Sequence, residues 1–182
     1  MAENLNVNFL IDFSLLEPLV YNSIELNRGD LWVTEGKCSD DIAWVESGAL
    51  KVFIRDLEQE QIIRFAYQHN VVTPLDSFLD GRNTSYNIEA LKKSKIKLIK
   101  KKDLIGLIEK IENGKDMYIG LLENLILQQL EREVDILTND PRQRVANVLK
   151  RSPQLFQEVP HKYIASYLRM TPETLSRILS NL

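Results

Sequence analysis

The chain has 182 residues, 44% of them hydrophobic and 27% charged, enough to bury a core in one domain or two small ones. No apolar run reaches the length of a membrane span, and no basic segment followed by an apolar one opens the chain, so a cytoplasmic protein is expected. Cys38 is the only cysteine, which excludes an internal disulfide and a cysteine-held zinc or iron–sulfur site.

The formal charge of −3 is unevenly spread. Residues 140–182 hold seven basic and three acidic residues, a net of +4, whereas residues 1–139 hold sixteen and twenty-three, a net of −7. A basic module on an acidic body is the pattern of an electrostatic footprint confined to one part of the chain.

In chain order, Asn8 to Val20 contains Phe9, Leu10, Phe13, Leu15, Leu16 and Leu19, which predicts a short amphipathic helix ending near Pro18. From Ile24 to about Lys102 the signals are those of β structure. Strands are expected at Leu31–Glu35, Ile42–Glu46, Leu50–Arg55, Gln61–Tyr67, Tyr86–Leu91 and Ile96–Lys100. Turns fall at Arg28-Gly29-Asp30, Glu35-Gly36-Lys37, Ser47-Gly48-Ala49 and Asp80-Gly81-Arg82, and short strands so punctuated predict a sandwich or barrel. The stretch Leu91–Lys102 holds seven lysines. Ile96 and Leu98 alternate with Lys95 and Lys97, as in a half-buried strand whose charged outer face discourages edge pairing.

A short helix is expected over Asp103–Ile111 and a long one from Lys115 to about Thr138. The long helix has apolar residues at Ile119, Leu122, Leu125, Ile126, Leu130, Val134 and Leu137, a stripe too wide for one partner. Leu121, Leu127 and Leu130 are assigned to the β domain, and Leu122, Ile126 and Val134 to a second subunit. Burial within one chain is the alternative. Asp140 is expected to cap a helix from Pro141 to Arg151, with Val145, Ala146, Val148 and Leu149 inward and Arg142, Arg144, Lys150 and Arg151 outward as phosphate neighbours.

The stretch Val159–Leu182 predicts two helices joined by a tight turn. The first runs from Pro160, at its first position, to Leu168 and buries Ile164, Ala165 and Leu168. The second has Thr171 as cap, Pro172 at its first position and Glu173 on the positive end of the helix dipole. Leu175, Ile178, Leu179 and Leu182 face inward; Glu173, Ser176, Arg177 and Ser180 share the opposite face. Arg can bind both major-groove acceptors of guanine, and Glu can accept from the cytosine amine. An ordinary helical hairpin with a Glu173–Arg177 surface pair fits the same spacing.

KYIASYL followed by TPETLSRIL resembles the helix-turn-helix of the Crp/Fnr family of bacterial transcription regulators. The resemblance implies base contacts from Glu173 and Arg177, with Thr171, Thr174 and Ser176 near the DNA; Ser180 on the same face, Lys162 and Arg169 are further candidates for DNA contact. It also implies a homodimer formed through the long helix, a palindromic operator in double-stranded DNA, and RNA polymerase as a further partner. Arg169 stands where the family commonly has Gly. Either the turn is reshaped, or Arg169 accepts a positive φ, at about 1 kcal/mol, while its guanidinium reaches a phosphate. The sequence ends on the second helix, so either a β-hairpin wing after it is absent or the natural protein differs at its end.

The glycine-punctuated strands RGD, EG and SGALKVF resemble the same family's β-roll, and LDSFLDGRNTSYNIEAL lies where its phosphate-binding cassette should be. Members that bind cyclic nucleotides open this segment with Gly-Glu and carry an Arg followed by Ser or Thr near its end. Matched through Ala90, Ser85 is retained, the Arg position is Thr84, and Thr73-Pro74 stands for Gly-Glu. Arg82 is two residues early, a displacement of roughly 6–7 Å on a strand. The expected ligand pocket is therefore Asp76, Ser77, Arg82, Thr84 and Ser85, without useful affinity for cyclic AMP, because a buried phosphate needs a paired cation.

These readings combine into an α+β chain: a β-roll (jelly-roll) sensor over 1–114, a dimerisation helix over 115–139 and a winged-helix-like helix-turn-helix domain over 140–182. His69 and His161 are the only histidines, and no nucleophile motif or metal-ligand spacing surrounds them. No enzyme activity, metal or cofactor is expected. The rival reading is a small-molecule-binding regulatory module that does not bind DNA.

Overall fold

The computed structural model describes residues 13–57 and 59–181. Helix α1 (Phe13–Leu16) runs into a single 3₁₀ turn (Glu17–Leu19). Eight strands follow: β1 (Val20–Leu26), β2 (Leu31–Val33), β3 (Asp41–Ser47), β4 (Ala49–Asp56), β5 (Gln59–Tyr67), β6 (Val71–Val72), β7 (Asn87–Ala90) and β8 (Ser94–Lys100). Helix α2 (Leu75–Asp80) lies between β6 and β7. The strands form two four-stranded antiparallel sheets, ordered β1-β8-β3-β6 and β2-β7-β4-β5. Alternate residues of both sheets meet in one core, with Val45, Leu50, Ile88 and Ile96 fully enclosed. The expected sandwich is present.

Its details differ in three places. β1 begins at Val20, before the expected start, because it is an edge strand paired only with β8, and exposed Asn22 and Ser23 mask its period. The lysine-rich β8 is interior rather than an edge, flanked by β1 and β3. Its cations are matched across the sheet: Lys95 with Glu46 at 2.8 Å, Lys97 with Glu46 at 3.4 Å and Lys100 with Asp41 at 2.8 Å. The third difference is α2, a single turn and a half that the strand signals conceal. Of the predicted N-terminal helix only α1 lies among the described residues, and Pro18 falls in the 3₁₀ turn that ends it. Gly48 joins β3 to β4 at φ 96°, and a Cβ there would meet the Ser94 Oγ at 2.2 Å, so no other residue fits this turn.

The remaining helices are α3 (Lys101–Ile108), α4 (Gly114–Leu137), α5 (Pro141–Arg151), α6 (Leu155–Glu158), α7 (His161–Tyr167) and α8 (Pro172–Leu179). Two predicted caps form. Asp140 accepts from the Arg142 amide at 3.0 Å, and Thr171 from the Thr174 amide at 3.2 Å. Pro160 sits one residue before α7, as its cap, rather than at the first helical position. Ile164, Ala165, Leu168, Leu175 and Ile178 are buried as expected, and Leu182 lies outside the described residues. Their core continues into the outer face of β4 and β5 through Ala49, Phe53, Ile62 and Phe65. The C-terminal helices are thus seated on the roll.

The assignment of the long helix is corrected. Leu127 and Leu130 do not pack on the roll but are exposed, together with Ile119, Ile126, Val134 and Leu137. The residues that α4 buries are Gly114, Arg132 and Asp135. Arg144 and Arg151 are likewise turned inward, not outward. Arg144 donates to the Thr138 carbonyl at 3.1 Å, and Arg151 pairs with buried Asp135 and with Glu131 at 3.3 Å, clamping α5 to the end of α4.

Candidate nucleic-acid interface and effector pocket

Helix α8 presents its polar face because the apolar residues on its other side are consumed by the core. Glu173, Ser176, Arg177 and Ser180 are exposed, as are Thr171 and Lys162, while Thr174 is half-buried. The Ser180 hydroxyl donates to the Arg177 carbonyl at 3.0 Å, and the Thr171 and Thr174 hydroxyls lie 3.2 Å apart. Among the described residues no ion pair joins Glu173 to Arg177, so the surface pair of the hairpin reading does not form and the guanidinium is uncommitted. The backbone amide at the helix start and the Thr171 hydroxyl hold the Glu173 carboxyl below its ordinary range. Such a face can offer a bidentate donor and an ionised acceptor to base edges within one helical turn.

Arg169 has φ 56°, so the turn keeps its left-handed residue despite the missing Gly. Its guanidinium donates to the Gln61 Oε1 on β5, fastening the turn to the roll. Next to it lies a cluster that the periodicity did not single out. Arg132 is 6% exposed, stacks 3.7 Å from the Tyr167 ring and donates to the Ile62 carbonyl at 3.3 Å, leaving Nε and Nη1 without hydrogen-bond partners among the described residues. Burial lowers its pKa, and that of Arg64, which lies opposite Val52 in the β4–β5 register. The signal for Arg64 was a lone cation within the apolar run Ile62-Ile63-Arg64-Phe65-Ala66.

Four of the five expected pocket residues come together. Asp76, Ser77 and Thr84 are buried, and Ser85 adjoins them. Asp76 Oδ1 accepts from the Thr84 hydroxyl at 2.6 Å and the Ser77 amide at 2.8 Å. Its Oδ2 accepts from the Ser85 amide and hydroxyl, both at 2.9 Å. Desolvation raises the Asp76 pKa, but the hydrogen bonds from Thr84, Ser85 and Ser77 outweigh it and hold the carboxyl below the usual range. The fifth residue, Arg82, points away: it is exposed and pairs with Asp80 at 3.1 Å.

Residues 23–111 match the family model described as Cyclic nucleotide-binding domain. Several solved structures share the fold over most of the chain. FixK2 from Bradyrhizobium japonicum has a TM-score of 0.74 at 18% identity, covering 88% of this chain and 83% of that one. A cyclic nucleotide-binding domain containing protein from Listeria monocytogenes EGD-e has a TM-score of 0.67 at 16% identity, covering 97% and 87%. The c-di-GMP responsive global regulator CLP of Xanthomonas campestris has a TM-score of 0.66 at 12% identity, covering 93% and 91%. No curated protein matches the sequence. At these identities the likeness establishes the fold: a roll of the cyclic-nucleotide-binding type followed by helices. No described helix is long and apolar enough to cross a membrane.

Proposed function

We propose that this chain is a DNA-binding transcription regulator of Crp/Fnr type that acts as a homodimer on a palindromic operator. The observation that carries the reading is the α8 face. It is a capped, buried-backed helix whose Arg177, Glu173 and Ser176 are exposed and, among the described residues, free of partner charges, set in the basic part of the chain. Lys162 and Arg142, both exposed, supply cations for phosphates. The uncovered apolar stripe of α4 supports pairing with a second copy, which would set two α8 helices for two half-sites. Likeness to the regulator CLP over nearly the whole chain supports the same reading.

The roll is the sensor in this proposal, and cyclic AMP is not its effector. Arg82 is tied to Asp80 outside the pocket, and among the described residues no cation pairs with Asp76 to receive a cyclic phosphate. The commitment of Arg169 to Gln61 favours the alternative, a regulatory module that does not bind DNA. Selection of bound sequences from random duplex DNA separates the two. The regulator enriches an inverted repeat, its affinity falls steeply with salt through counterion release, and Arg177→Ala loses roughly tenfold or more in affinity with unchanged melting temperature. Salt-independent binding, or no enrichment, removes the reading.

A further inference from the structure

Asp76 is 8% exposed and its carboxylate has no cationic partner among the described residues, yet four donors converge on it in two pairs, one pair per oxygen. Three of the four come from Thr84 and Ser85, at the far end of the α2–β7 connection, and all four are neutral. Such an arrangement is specific for an ionised group with two oxygens. A neutral amide at position 76 has a single oxygen and could not answer both pairs of donors, and a cation would be repelled by the inward N–H and O–H dipoles. The same set of two amides and two hydroxyls would recognise the two free oxygens of a carboxylate or a phosphate ester.

We propose that these donors form an oxyanion seat and that Asp76 is its resident occupant, so that the segment from Leu75 to Ala90 is closed by a side chain of the chain itself rather than by a diffusible anion. The carboxylate answers each donor, and its negative charge excludes an external phosphate from the same place. The sensor roll is thereby held closed without an effector at this seat. Any signal it receives enters elsewhere. The seat is matched in chemistry to its occupant: the Ser77 amide and Thr84 hydroxyl take Oδ1, and Ser85 takes Oδ2 with both its amide and its hydroxyl.

The inference rests on reading the roll as a sensor, but its test uses no DNA, so a chain that fails to bind an operator leaves it intact. Asp76→Ala empties the seat. Its melting temperature is expected to fall by several degrees and to recover by at least half, saturably, in tens of millimolar sodium formate, with no recovery in sodium chloride of equal ionic strength. The native chain is expected to be indifferent to formate. Inorganic phosphate is the second probe. Recovery with formate alone means a seat sized for a carboxylate, recovery with both a seat for either oxyanion, and each outcome supports the proposal. Recovery with neither, or an equal response of the native chain, overturns it. If Asp76→Ala does not fold, Thr84→Val and Ser85→Ala decide the matter in the native background. Each must raise the Asp76 pKa in a carboxyl-carbon NMR titration, and an unmoved titration overturns the proposal.

Discussion

Asp135 is 1% exposed near the end of α4, and its carboxylate is held by Arg151 of α5. Replacing Arg151 with Met keeps most of the apolar stem and removes the charge, which leaves a buried carboxylate without its cation. Removing one partner of a buried pair costs about 3–5 kcal/mol, because the survivor cannot recover its hydration. Arg132, three residues before Asp135, is close enough to interact with that charge but lies outside ion-pair distance, so the low end, about 3 kcal/mol, is expected. For a chain of this length that corresponds to a fall in melting temperature of roughly 6–12 °C. Urea denaturation should show a lower midpoint with an unchanged slope. The double variant Asp135→Leu with Arg151→Met removes both charges and should recover at least half of the loss, since apolar pairs of similar volume replace buried ion pairs at little cost. An Arg151→Met protein within 1 kcal/mol of the native one, or a double variant no more stable than the single, would refute an electrostatic origin.

Ile126 is 60% exposed on α4, so Ile126→Glu should leave the fold intact and convert a homodimer to monomer in sedimentation analysis; a native chain already monomeric at high concentration ends the pairing argument. Arg169 sits at φ 56°, where only Gly escapes steric cost, so Arg169→Gly should be more stable than Arg169→Ala by about 1 kcal/mol in urea titrations, both having lost the bond to Gln61. Asp76 has a lowered pKa, so its stabilisation is complete above the pKa of an unfolded aspartate, about 3.9, and is lost as pH falls through the lower folded value. Asp76→Asn, which has no carboxyl to titrate, should therefore show a flatter loss of melting temperature below about pH 4 than the native chain; parallel acid limbs would contradict this.

The C-terminal helices were the most legible part because their signals are local. Asp140 and Thr171 are capping residues followed at once by Pro141 and Pro172, and a 3.6-residue apolar period continues from each. The strands were legible from short apolar, β-branched runs set between glycine-bearing turns, as in β4 and β5, which are covered on both faces. What escaped depends on tertiary partners. Lys95 and Lys97 suggested an edge because the acids that neutralise them, chiefly Glu46, come from another strand. The wide apolar stripe of α4 said that two sides are in demand but not which: the roll took Arg132 and α5 took Asp135, while Leu127 and Leu130 stayed exposed. Arg151 looked like a surface cation because its partner lies on a different helix. In the pocket, the missing Arg was visible in the sequence. The convergence of Thr84 and Ser85 on Asp76 was not, since it depends on how the connection between α2 and β7 folds back.

The apolar core of the last forty residues does not stop at their own boundary. Ala49, Phe53, Ile62, Phe65 and Leu91 of the roll are sealed by Val145, Ile164 and Leu168, so neither half has a finished surface of its own. A roll cut free at Asp140 would be left with a sticky side and tend to clump, and the severed helices would lack a floor. The two halves should therefore melt in a single step, and grafting these C-terminal helices onto another roll would require moving the matching patch of β4 and β5 along with them.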